Sequence, residues 1–96
     1  MDIQEARLTQ VLNFIENGNF DLQKCGSHKE NIKILMPKYF EELLKRYYTK
    51  NVYGVINIEK STLYGCEINS HYKNEVVIFE EMANPSKSNP AHVLEI

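Results

Sequence analysis

The apolar residues of this chain change period near its middle, and few folds accommodate both periods. Through residue 17 and again from 37 to 50 they recur every three or four positions, the spacing of a helix with one buried face. From residue 52 onward they sit in β-branched and aromatic runs broken by short polar clusters, the signature of strands. A chain of 96 residues holds one domain and a modest core. The expected fold is therefore α+β in two layers. Two or three helices pack on one side of a three- to four-stranded antiparallel sheet.

The first helix is expected over 2–17. Asp2 and Glu5 have the spacing of a capping box, Leu8, Val11, Leu12 and Ile15 form the stripe, and Asn17-Gly18 supplies a stop. Residues 19–36 permit two readings. Phe20 and Leu22 suit a short strand, and Ser27 with Glu30 opens a short helix carrying Ile32, Leu35 and Met36. Alternatively, Ile32 and Ile34 share one face of a strand. The helical reading is preferred. Pro37 suits the first turn of the next helix, where Phe40, Leu43, Leu44 and Tyr47 make the apolar face. Glu41–Lys45 and Glu42–Arg46 are favourable i, i+4 pairs.

Three strands follow at Val52–Glu59, Ser61–Asn69 and Glu75–Met82, and short connections predict an antiparallel meander. Asn84 to Pro90 reads as a tether. The domain is placed at 1–83 with a C-terminal tail at 84–96, whose Ala91–Ile96 could add an edge strand.

Charge separates function classes. The formal net charge is -2, so no global field draws the chain to nucleic acid. Residues 21–50 carry seven basic side chains against four acidic ones, while residues 51–96 carry three against six. No apolar run approaches the roughly 20 residues of a spanning helix. The N-terminal residues lack a basic region followed by an apolar one, so neither a membrane span nor a secretory signal is expected. Free Cys25 and Cys66 then suit the cytoplasm.

Catalytic signatures are missing: there is no glycine-rich phosphate loop, nucleophile elbow or His-Glu-x-x-His. The chain is not expected to be an enzyme, and no cofactor is expected. Cys25, His28, Cys66 and His71 have the donor types of a zinc site, but their spacing is irregular and a packed thiol at Cys66 explains it better. A thiol nucleophile at Cys25 or Cys66 would need a base such as His28, His71 or His92 beside it, and no acidic third member is marked out.

Six tyrosines remain, and rings with polar tips favour interfaces. Tyr53, Glu59, Tyr64, Glu67, Tyr72 and Glu80 are the candidate partner-binding residues, on an acidic, aromatic sheet face ringed further by Glu75 and Glu81. Such a face suits a basic protein. The expected role is a small inhibitor of the immunity, antidote or phage counter-defence type, acting by stoichiometric blockade. The tyrosines could alternatively join two copies of the chain.

The alternative is a winged-helix DNA-binding regulator. In it a helix at 27–36 precedes a recognition helix at 37–50, Glu59 to Thr62 forms the wing tip, and Lys38, Lys45, Arg46 and Lys50 meet phosphates. Glu41 and Glu42 at the groove-entering end argue against it. The run Pro37, Phe40, Leu43, Leu44, Tyr47 also resembles the Pro-x-x-aromatic-x-x-apolar-Leu helix of the SUKH immunity superfamily, over that helix alone. The resemblance implies an immunity role, in line with the acidic sheet.

Overall fold

A computed structural model describes residues 3–47, 56–57 and 60–96. The α+β class holds. Helices α1 (Ile3–Lys24) and α2 (Lys38–Tyr47) lie against strands β1 (Ile32–Pro37), β2 (Ile56–Asn57), β3 (Thr62–Leu63), β4 (Cys66–His71), β5 (Glu75–Glu80) and β6 (His92–Glu95). Short 3-10 turns occur at Lys29–Asn31 and Pro85–Lys87.

The sheet has six strands in the order β2-β3-β4-β1-β5-β6 and is mixed rather than antiparallel. The parallel pair is β1 with β4, and β1 also pairs antiparallel with β5. The expected meander is thus interrupted. Although β4 and β5 are joined by residues 72–74 alone, β1 lies between them. The reason lies in its side chains. Ile32, Ile34, Met36 and Pro37 are buried and Lys33 and Leu35 half-buried, so no residue of β1 is exposed on either face. Its place is the middle of the sheet, paired on both edges. Pro37, which has no N–H to give to a ladder, falls at the strand's last position. Its cyclic side chain precedes α2 rather than opening it.

Two corrections concern residues 17–36. First, α1 runs through Gly18 to Lys24, so Phe20 and Leu22 are helical. The helix stops at Gly26, whose φ of 101° is a left-handed geometry. The Gly26 N–H donates to the Gln23 carbonyl at 3.0 Å and that of Ser27 to Leu22 at 2.9 Å, the two bonds of a Schellman motif. Second, the helix expected at 27–36 is β1. Only Lys29–Asn31 makes a helical turn, and its N-cap, His28, makes no side-chain bond. With a strand there, the helix order that suggested a winged helix is not the order observed.

The strand expected at Ser61–Asn69 is a hairpin. Leu63 pairs with Cys66 across Tyr64 and Gly65, both at positive φ, the signs of a type I′ turn. Beyond it, α2 ends at Tyr47 among the described residues, and of the strand expected at Val52–Glu59 only Ile56–Asn57 is described.

Both helices cover one face of the sheet. Leu8, Val11, Ile15 and Leu22 of α1 and Phe40 and Leu44 of α2 bury against Ile32, Ile34, Met36, Ile68, Val76 and Ile78. Alternate strand residues point the other way, where no described element covers them.

Candidate functional site: the open face of the sheet

Strand periodicity determines what the uncovered face presents. Lys33 and Leu35 of β1, Glu67, Asn69 and His71 of β4, Glu75, Val77 and Phe79 of β5, and Val93 and Glu95 of β6 all project from it. Register brings the apolar ones into a row: Leu35 is opposite Val77, Val77 opposite Val93, and Phe79 lies opposite Lys33. Val93, at the edge, is 54% exposed.

The charges flank this row unevenly. Lys33 and Glu67 are register neighbours and form an ion pair of 3.1 Å. Glu75 and Glu95 also face each other in register, like charges on adjacent strands. Among the described residues neither carboxylate makes an ion pair. Like charges placed this way destabilise a sheet. Next to them, the His71 Nε2–H donates to the Glu75 carbonyl at 2.6 Å and closes the 72–74 connection over the end of β1.

The residues singled out from sequence do not share this face. Glu67 projects from it. Tyr72 is 94% exposed, in the connection from β4 to β5. Tyr64 sits in the hairpin turn, its hydroxyl 3.5 Å from a Glu16 carboxylate oxygen on α1. Glu80 faces the helix side and is 9% exposed, and its Oε1 accepts the Asn89 backbone N–H at 3.0 Å. Tyr53 and Glu59 lie outside the described residues. Leu35, Val77, Phe79 and Val93 are not among the expected site residues, because aliphatic side chains in a strand read equally well as core. The unbroken apolar runs Ile34–Met36 and Val76–Phe79, which put apolar side chains on both faces of a strand, are the signal that points to them.

Two polar clusters support the fold behind the site. Glu41, 6% exposed at the start of α2, accepts from the Lys45 ammonium at 2.9 Å and the Ser70 hydroxyl of β4 at 2.8 Å. Lys45 reaches Ser61 Oγ at 3.3 Å as well. Burial pushes the Glu41 carboxyl toward its neutral form. The bonds from Lys45 and Ser70, with the charges of Lys45 and Lys38, outweigh that and hold its pKa below the usual glutamate range.

In the second cluster, Asn89 Nδ2 donates to buried Ser27 Oγ at 2.9 Å and to the Cys25 carbonyl at 3.3 Å. These bonds fasten residues 84–90 to the end of α1, and the Glu80 bond fastens them to β5. Behind them β6 joins the sheet.

The four zinc-type donors stay apart. Cys25 is exposed at the end of α1 and His71 is on the open face. Cys66 is buried on the helix side with its thiol 3.6 Å from Asn19 Oδ1. Among the described residues no three metal-binding side chains gather. Burial pushes the Cys66 thiol up, against the pull of Lys29 and Lys33, which disfavours a nucleophilic thiolate there. Cys25 and His92 line one cleft with Asp21, without a hydrogen bond between them. Among the described residues, no helix is long and apolar enough to cross a membrane. Compared with known proteins, the chain matches no family model, no curated protein and no solved structure.

Proposed function

We propose that this chain is a protein-binding module that acts by occupying a basic partner, an inhibitor by stoichiometric blockade rather than by turnover. The observation that carries the reading is the facing pair Glu75 and Glu95 beside the row Leu35, Val77 and Val93. In the isolated chain this arrangement is unfavourable twice, through like-charge repulsion and through the exposed Val93 beside half-buried Leu35 and Val77. A lysine or arginine seated between the carboxylates, with an apolar anchor on the row, removes both costs at once. Two free thiols suit a reducing compartment, the cytoplasm, as the place where this happens.

Affinity capture from the native cell tests the reading. The unmodified chain should retain a basic protein in equal amount, less of it as salt rises. Val77→Arg should lose it, and Phe20→Ala, on exposed α1 surface, should keep it. Undiminished capture by a folded Val77→Arg chain would refute the assignment.

A further inference from the structure

The outer edge of β6 is a second recognition element. Ile96 donates its backbone N–H to the Asn74 carbonyl at 3.1 Å, which makes 74 with 96 a hydrogen-bonded pair of the β5–β6 ladder. Alternation along an antiparallel ladder then fixes the rest. Leu94 and His92 use their backbone groups on β5, while those of Val93 and Glu95 point away from the sheet. Among the described residues no strand pairs with them.

Edge strands of isolated domains are usually guarded by shortness, charged side chains, proline or a bulge, and β6 has four residues and one charge, Glu95 on the open side. Within His92–Glu95 there is no lysine, arginine or proline, and Pro90 stands ahead of the strand. Apolar side chains occupy both faces instead. Val93 is exposed on the open side, and Leu94, with Ile96 after it, is half-buried on the helix side.

We propose that the occupant of this edge is a second copy of the chain, paired antiparallel about a two-fold axis at Val93. A two-fold axis perpendicular to the sheet keeps each face on its own side, so residues of equal parity must meet. Val93 opposite Val93 of the second copy satisfies that. It also makes this an outward-facing hydrogen-bonded pair, in which each Val93 N–H donates to the other's carbonyl. His92 then lies opposite Leu94 of the second copy, and Glu95 opposite Ala91, so no acid faces an acid across the junction. The row Leu35, Val77, Val93 continues without a break into its own image, and one open face becomes a doubled one. The inference rests on the ladder and stands whether or not the open face binds a basic protein.

Sedimentation across a wide concentration range, with amide hydrogen exchange on the same unmodified chain, tests it. The expected result is a reversible monomer–dimer equilibrium in which the Val93 and Glu95 amides slow as concentration rises. The Leu94 amide, bonded within the chain, should be protected throughout. Glu95→Pro removes an outward N–H and leaves the β5 bonds in place. It should weaken the dimer by on the order of tenfold while the far-ultraviolet spectrum is unchanged. A single species of 11.2 kDa at every concentration would overturn the proposal. So would Val93 and Glu95 amides indifferent to concentration, or a folded Glu95→Pro chain that dimerises as before. Should that variant not fold, exchange in the unmodified chain decides.

Discussion

Gly18 of α1 and Ile78 of β5 touch so closely that a Cβ at position 18 would lie 2.5 Å from Ile78 Cγ2. The glycine is what lets the helix settle onto the centre of the sheet. Gly18→Ala should therefore destabilise the chain by about 1–3 kcal/mol, although alanine is the better helix former by about 1 kcal/mol. Thermal or urea unfolding checks the sign. The double variant with Ile78→Ala should lose less than the sum of the two single losses, because the second change makes room for the first.

Glu41 is a depressed carboxylate, and the direction of its pH effect follows. A group whose folded pKa lies below its unfolded value stabilises the fold above the unfolded value, about 4.3 for glutamate. That stabilisation drains away as pH falls through the folded one. Glu41→Gln should lower stability at neutral pH and flatten the acid limb of a stability–pH curve below about pH 4.3. Parallel curves for the two chains would show that the Lys45 and Ser70 contacts do no more than offset the burial of the carboxylate.

Asn89 joins residues 84–90 to the α1–β1 turn by two bonds, to Ser27 and Cys25, and to β5 by a third, to Glu80. The one to Glu80 uses backbone, so Asn89→Ala removes only the side-chain bonds and leaves Ser27 short of a partner. A loss of about 1–2 kcal/mol is expected, with faster amide exchange over β6. Unchanged exchange in β6 would mean that the β5 ladder alone holds the strand.

Glu75→Lys should move stability and binding in opposite directions. Placed opposite Glu95, a lysine turns repulsion into attraction, worth about 0.2–1 kcal/mol for a cross-strand pair. The same change should weaken capture of a basic partner. Melting temperature and capture on one preparation measure both, and a stabilised variant with full binding would separate Glu75 from the interface.

The two thiols should differ in reactivity. Cys25 is exposed, whereas Cys66 is buried with its pKa raised. A thiol reagent at neutral pH should label Cys25 promptly and Cys66 only on unfolding; equal rates would contradict the placement of Cys66.

What the sequence determined by itself was local. Leu8, Val11 and Ile15 of the first stripe, Phe40 and Leu44 of the second and alternate residues of Glu75–Glu80 bury as their periods require, with Leu12 and Leu43 half-buried beside them; Tyr47, expected on the same stripe, is 38% exposed at the end of α2. Tertiary structure decided where those elements meet. Asn17-Gly18 reads as a helix stop, but the helix ends only at Gly26; contact with Ile78, sixty residues on, accompanies the continued helix at Gly18. Ser27 and Glu30 promise a helix, yet Ser27 bonds Asn89 and the residues after it are pulled into the sheet centre between β4 and β5. Glu80 and Glu75 stand in one strand with the same chemistry. Which of them is buried and which lies on the open face turned on which face the helices covered, and that choice is a matter of long-range packing.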